Sequence, residues 1–417
     1  MQTLFILTKT YPFGRGEQYL DEELPVLAAA FSKIILVPCS VFAKEEHARL
    51  LPVNVAVFPV NLFVRKKSFS ERIGGFFERL SIVLGEMMHQ KDGTFFWEHL
   101  RQSIAILKQQ AACATALQEY LQKEKTDVKN AVFYSYWMHS SAIILGILKK
   151  RGVIKKFISR AHSYDLYHQQ FYPEKKNKSP LPWEYFKFKM ADRVICVSEH
   201  GRNYLAKRYP AWGNKFSVSY LGIENPLGEN PSAKENVFRM VTCSTIQELK
   251  RLYLIPEIIG KLSFPVEWVH FGTGPDADIQ KLQNACRQYL RNDQSFVLKG
   301  FTPNDDIKKY YATTHIDLFL NVSLAEGVPV SLMEAAGYGI PLMATDVYGN
   351  AEVARSEAGF IIPVNFKSED AAAIISQLRN NPAQSDKLRT GAKEVQRNYF
   401  DAGKNFREFT AVLKTNA

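Results

Sequence analysis

Residues 326–334 read Glu326-Gly327-Val328-Pro329-Val330-Ser331-Leu332-Met333-Glu334. A carboxylate stands in a turn just ahead of an apolar run that reads as a helix, and a second carboxylate follows inside that helix. Gly327 lets backbone approach a ligand closely, and Pro329 suits a first helical turn. The amides of that turn lack partners within the helix and carry partial positive charge, so they favour a phosphate or an oxygen-rich ligand. One acid at the mouth and one deeper suit hydroxyl donors such as sugar and ribose. The local chemistry points to a ligand with anionic phosphates and polyol ends, which describes a sugar nucleotide.

The flanking sequence extends the pattern. Residues 335–339, Ala-Ala-Gly-Tyr-Gly, end the helix at glycine. Residues 340–344 form a short apolar run that reads as a buried strand, and Thr345 to Glu352 form a loop leading into another helix. The whole segment from Asn321 to Val353 resembles the donor-binding signature of family-4 glycosyltransferases, within the subset that builds surface polysaccharide and lipopolysaccharide. That resemblance implies an α/β protein of GT-B fold, with two Rossmann-like domains facing across a cleft.

A chain of 417 residues is too long for one ordinary core and fits two domains. The first residues lead directly into a strand-like run with no signal-peptide pattern. No stretch has the ~20 uninterrupted apolar residues of a membrane span. The five cysteines (Cys39, Cys113, Cys196, Cys243, Cys286) are scattered, most of them in apolar runs, as expected of reduced core thiols in a cytosolic protein. Charge is uneven: residues 1–222 hold 32 Lys+Arg against 19 Asp+Glu, a net +13, while the remainder holds 21 against 23. A basic half suits an anionic membrane or a pyrophosphate-bearing acceptor, or it serves solubility alone. No nucleic-acid-binding module is present.

Apolar runs alternate with helical patterns throughout, which argues for parallel sheets. Strands are expected in the first half at 3–7, 34–38, 55–58, 132–135, 157–160, 194–197 and 217–220. In the second half they are expected at 239–243, 266–271, 296–299, 318–321, 341–344 and 360–362. The expected domains are 1–222, which the resemblance makes the acceptor-binding domain, and 238–395, which it makes the nucleotide-sugar-binding domain. A linker at 223–237 is rich in Gly, Pro, Asn, Glu and Ser. In GT-B proteins the last helix, here 396–417, crosses back to the first domain. Residues 63–123 are helical in pattern and mix aromatic with basic side chains. They read either as an insertion packed on its own domain or as an interfacial helix on anionic lipid.

Candidate site residues follow the strands, because ligands of open α/β sheets sit at strand C-terminal ends. By the resemblance, Glu326 and the amides of Gly327, Val328, Pro329 and Val330 face the donor sugar, with Glu334 on ribose hydroxyls. Pro329 brings no N–H, so its part is to shape the turn. Residues 160–167, Arg-Ala-His-Ser-Tyr-Asp-Leu-Tyr, resemble the H-x-x-D element of the polysaccharide subset, as do residues 134–139, Tyr-Ser-Tyr-Trp-Met-His. His162 would lie beside the donor sugar, and Asp165 would fix the loop or meet the acceptor. His139 and His168 are weaker candidates. Lys250 occupies one of two positions where family members place a cation on the diphosphate. Thr245 occupies the other, a departure that leaves Thr245 to hydrogen-bond phosphate and Arg251 to compensate in part.

Residues 11–17, Tyr-Pro-Phe-Gly-Arg-Gly-Glu, form the loop after the first strand. Gly14 and Gly16 allow close backbone approach, and Glu17 is read as opening a helix. Gly16 is assigned to the donor and Glu17 to the acceptor or to loop support, with an ordinary turn as the alternative. Gly300 and Phe301 would sit near the base. Asp276-Ala277-Asp278 has the form of a metal-binding pair but follows a Gly-rich turn, which reads as a helix start. No metal or other cofactor is expected. The expected partners are a nucleotide-sugar donor, a saccharide acceptor carried on lipid, and an anionic membrane surface, without nucleic acid. Transfer of a hexose-type sugar with retention of configuration is the implied reaction. The rival readings are a nucleotide-sugar epimerase, a phosphorylase, or a non-catalytic sugar-nucleotide-binding subunit.

Overall fold

The computed structural model describes residues 2–14, 17–41, 49–65, 68–89, 93–167, 183–226, 228–232 and 236–415. The chain forms two compact units, Met1–Ser219 with Phe406–Ala417, and Tyr220–Asn405. Each is built on one parallel sheet.

In the first unit the strands are β1 (Thr3–Thr8), β2 (Lys33–Pro38), β3 (Val55–Val57), β4 (Val132–Ser135), β5 (Ile158–Ala161), β6 (Arg193–Cys196) and β7 (Phe216–Val218). They lie in the order β3-β2-β1-β4-β5-β6-β7. Leu4, Phe5, Ile6 and Leu7 are all buried, because helices cover both faces of a parallel sheet. In the second unit the strands are β8 (Phe238–Cys243), β9 (Val266–Phe271), β10 (Gln294–Gly300), β11 (Leu318–Asn321), β12 (Leu342–Thr345) and β13 (Gly359–Ile362). Their order is β10-β9-β8-β11-β12-β13. Each sheet therefore reverses direction of travel beside its first strand: between β1 and β4 in one unit, and between β8 and β11 in the other. Loops leaving the strand ends there part to opposite sides and leave a crevice.

The expected strands all form, with ends displaced by a residue or two. The expected linker does not stand apart from the second unit. Ile223 pairs with Asp401, and Asn230 Nδ2 donates to the carbonyls of Tyr311 and Thr314 at 2.7 and 2.8 Å. Its turn-forming composition serves backbone that is fastened down. Of the helix Ala402–Thr415, the portion from Phe406 on belongs to the first unit. Phe409 and Leu413 join the core beneath β1 and β4.

That helix meets a fully buried ion pair. Arg160 on β5 donates to Glu23 of the helix Tyr19–Ala30 at 2.5 Å, with both side chains wholly enclosed. The Arg160 guanidinium carbon lies 3.9 Å from the Phe409 ring centroid. Glu23 Oε1 and Arg160 Nε and Nη2 find no hydrogen-bond partner among the described residues, so each charge depends heavily on the other. Glu23→Ala is expected to destabilise the fold by about 3–5 kcal/mol, since it strands a buried guanidinium. Chemical denaturation measures this; a loss below about 1 kcal/mol would mean the pair does not hold this core.

Candidate active site

In the second unit, the crevice between β8 and β11 gathers the sequence-selected residues. After β8 the chain turns through Ser244–Gln247 into short helical turns at Glu248–Lys250 and Leu252–Leu254. After β11 it runs to the helix Val330–Gly337. Three contacts tie the two loops together. Leu324 N–H donates to the Leu249 carbonyl at 2.8 Å, Arg251 Nε donates to the Val322 carbonyl at 2.8 Å, and Lys250 Nζ donates to Glu326 Oε1 at 2.5 Å.

Glu326 Oε1 also accepts from Asn321 Nδ2 at 3.1 Å and Ser323 Oγ at 2.7 Å. Three donors on one oxygen fix the carboxylate, and no donor among the described residues reaches Oε2. The side chains of Val328 and Pro329 are buried, and Pro329 stands at the N-cap of the helix Val330–Gly337. Gly349 makes this turn possible: a Cβ there would stand 1.9 Å from the Gly327 carbonyl oxygen. Glu334 is buried, and Asn304 Nδ2 donates to its Oε1 at 2.7 Å. Burial pushes the Glu334 carboxyl above the usual range, opposed by Asn304 and by the charge of Lys308.

Other assignments fare differently. Arg251 does not compensate for Thr245: its guanidinium donates to the Val322 and Val364 carbonyls and lies buried against Phe366. Thr245 is exposed and accepts from Gln247 Nε2 at 3.0 Å. Phe301 is 76% exposed beside the Gly272–Gly300 bridge. Asp276 and Asp278 fall in the first turn of the helix Asp276–Tyr289, whose N-cap is Pro275. They complement the helix dipole there, while neither is the capping residue. Among the described residues no group of His, Cys, Asp or Glu is arranged to hold a metal ion.

In the first unit, a cleft of about 370 Å³ opens at the strand C-terminal ends. Its lining includes Thr8, Lys9, Ser40, Trp137, His139 and Asp165. Gly16 and His168 lie outside the described residues. Glu17 does not open a helix: it precedes one, in a left-handed conformation with φ +61°. Its carboxylate folds back to accept from the amides of Lys9, Thr10 and Tyr11 at 2.7–2.8 Å and from Trp137 Nε1 at 2.7 Å. With both oxygens doubly engaged, Glu17 joins the loop after β1 to the loop after β4.

Asp165 Oδ2 accepts from the amides of His162 at 3.0 Å and Met138 at 3.1 Å. Its Oδ1 is buried without a partner among the described residues, on the side chain that lines the cleft. Burial pushes its pKa up to about 7, against the two amides and the nearby Lys187 charge. His162 is buried between Tyr136 and Trp137. Its Nε2 meets the Tyr136 carbonyl at 3.2 Å; a carbonyl only accepts, so Nε2 carries the proton and Nδ1 the lone pair. Burial, then Arg160, lowers its pKa to about 3. His162 is a neutral imidazole at physiological pH.

The residues that sequence reading missed are Asn304, Asn321, Ser323 and Gly349. Asn304 opens a helix, Asn321 ends β11, Ser323 and Gly349 lie in loops, and nothing in the string marks their partners.

Comparison with known proteins identifies the family and the fold. The description "Glycosyltransferase Family 4" matches residues 95–225, and "Glycosyl transferases group 1" matches residues 262–395. The chain belongs to the family-4 glycosyltransferases and has the GT-B fold. It is 26% identical over 245 residues to a Salmonella typhimurium protein whose name assigns it to colanic acid biosynthesis as the glycosyltransferase WcaL, covering 55% of this chain and 58% of that one. The chain spans about half the length of the curated relatives it matches. Sucrose-phosphate synthase from Thermosynechococcus elongatus superposes with a TM-score of 0.71 at 13% identity, over 100% of this chain and 99% of that one. HepE from Anabaena, solved with UDP, superposes with a TM-score of 0.66 at 14% identity over the whole of both chains.

Proposed function

We propose that this chain moves a hexose-type sugar from a nucleoside-diphosphate sugar to a hydroxyl of a lipid-linked saccharide during surface polysaccharide synthesis, with retention of anomeric configuration. The observation that carries the reading is the Lys250–Glu326 pair beside the start of the helix Val330–Gly337, with Glu334 buried in that helix. Two fixed carboxylates, one fixed cation and a first helical turn match a diphosphate with a hydroxyl-bearing group at each end. The family membership, the colanic acid relative and the UDP-bound neighbour support the same class of substrate.

In the proposed reaction the bond from the anomeric carbon to the diphosphate oxygen breaks, and the acceptor oxygen bonds to that carbon. The acceptor's hydroxyl proton leaves with the departing diphosphate. Lys250 and the amides of Gly327, Val328 and Val330 meet the charge that builds on the diphosphate. Glu326 Oε2 accepts from sugar hydroxyls, and Glu334 from ribose. His162 accepts a donor-sugar hydroxyl at Nδ1. Asp165 Oδ1 accepts from the acceptor hydroxyl in the first-unit cleft, Thr245 hydrogen-bonds phosphate, and Phe301 lies by the base. No metal is needed, because fixed protein charges supply the stabilisation.

A panel of nucleoside diphosphates, screened by thermal shift without metal, tests the donor half. One nucleotide is expected to raise the melting temperature, since a ligand of the native state stabilises it by mass action. Gly349→Ala, whose Cβ must push the Gly327 carbonyl aside, should lose that response and melt lower than wild type without ligand. A wild-type protein indifferent to every nucleotide would overturn the assignment.

Asp165 makes the acceptor half pH-dependent. A carboxylate accepts hydrogen bonds best when ionised, so kcat/KM for acceptor should climb as pH rises through about 7. In Asp165→Asn the profile should be lower and flat. The same raised pKa makes the native state lose stability as pH rises from about 4, where the unfolded carboxyl ionises, to about 7, the reverse of a salt-bridged aspartate. An unaltered kcat/KM profile in the variant would remove Asp165 from the acceptor site.

A further inference from the structure

The helix Phe69–His89 is turned inside out relative to an ordinary surface helix. Ile73, Phe76, Phe77, Leu80, Leu84, Met87 and Met88 recur at helical spacing and are all exposed, Phe77 to 63% and Met88 to 75%. Its inward face carries Ile82 together with Glu78 and Glu86, while Glu71 is partly exposed. Glu86 is buried and accepts from the amides of Tyr185 and Phe186 at 3.0 Å, which satisfies the first turn of the helix Glu184–Met190. Glu78 holds Arg151 through two bonds of 2.8 Å. Glu71 pairs with Arg65, which also reaches Glu119. A helix fastened by its carboxylates has no freedom to roll its apolar stripe inward. Sequence reading left open whether this segment packs on its own domain or faces lipid; one face of the helix packs on its own unit, and the opposite face is exposed.

Among the described residues, the charges on this helix and on the helix Gly93–Lys123 are unevenly paired. All three acids of the helix are engaged by internal partners, whereas Arg79, on the same helix, and Arg101 and Lys108, on the helix Gly93–Lys123, have no carboxylate partner among the described residues. Ile104, between the last two, is exposed as well. Residues 1–222 carry the net +13 of the chain while the remainder is slightly acidic. An apolar stripe with unpaired cations beside it, on a strongly basic unit, fits the boundary between headgroups and acyl chains of an anionic bilayer. No helix among the described residues is long and apolar enough to cross a membrane.

We propose that the stripe Ile73–Phe76–Phe77–Leu80–Leu84–Met87–Met88 is a docking surface that lays the first unit on an anionic lipid surface. Position favours a role in acceptor capture. Glu86 caps the helix whose Lys187 donates to the Met138 carbonyl at 2.9 Å, and the Met138 amide is held by Asp165 of the cleft. The stripe and the cleft are thus linked through one short helix of the same unit.

Co-sedimentation with phosphatidylcholine vesicles, with and without phosphatidylglycerol, tests this in the absence of donor and acceptor, so its failure would leave the transfer reading standing. The full chain is expected to bind the anionic vesicles at low salt, and less at high salt. The double substitution Phe76→Ser/Phe77→Ser should lower the partition coefficient by about tenfold or more, with melting unchanged because both rings are exposed. Arg79→Glu/Arg101→Glu should weaken binding to anionic vesicles while leaving the weak binding to neutral ones alone. Wild-type protein that ignores anionic vesicles, or double-serine protein that binds as wild type, would overturn the proposal. So would concentration-dependent dimerisation abolished by the serines without vesicle binding, which would assign the stripe to a second copy of this chain.

Discussion

The contact between Lys250 and Glu326 is the constraint on which the second unit's site depends. It spans the place where the sheet changes direction, joining the loop after β8 to the loop after β11. Neither loop has regular structure long enough to fix it alone. The cation and the carboxylate neutralise one another while Asn321 and Ser323 hold the same oxygen, so the pair is half-buried without an uncompensated charge. Arg251, next along the chain, ties the loop after β8 to the Val322 carbonyl after β11 and to the Val364 carbonyl after β13. One basic residue builds the frame, and its neighbour pairs with Glu326 at the strand ends.

The first unit repeats this device with different partners. There the loops after β1 and β4 also part beside the first strand, and a carboxylate again closes the gap: Glu17 binds three amides of one loop and the Trp137 indole of the other. Two sheets of the same strand order thus use an acid at the same topological place. The consequence differs. Glu17 spends all its accepting capacity on the protein, whereas Glu326 keeps one oxygen for something else. Asp165 in the first unit likewise has Oδ2 on two amides and Oδ1 without a partner among the described residues.

Much of this was legible in the string because it is local. A run such as Leu4–Leu7 is apolar at every position, as a strand covered on both faces must be, and so its place could be read off. Glu326 to Glu334 is one turn and one helix, so its carboxylates could be named together. What escaped depends on distance or direction. Glu23 and Arg160 lie far apart in sequence, and neither carries a mark of the other. Glu17 precedes its helix with positive φ and turns backward, which its position beside a helix start concealed. Sequence left Arg251 to compensate for Thr245; its left-handed backbone and its bonds to the Val322 and Val364 carbonyls instead hold it in the frame. The segment 223–237 has a linker's composition, but its described residues Ile223 and Asn230 have backbone partners that only folding supplies.

The most direct test of the proposed chemistry is the single-turnover rate of sugar transfer by Lys250→Met at saturating donor. If Lys250 offsets the charge on the departing diphosphate, the rate should fall by roughly a hundredfold or more while the protein melts near the wild-type temperature and still binds the nucleotide. A rate within a few-fold of wild type would contradict that role and leave the Lys250–Glu326 pair as a structural clasp alone.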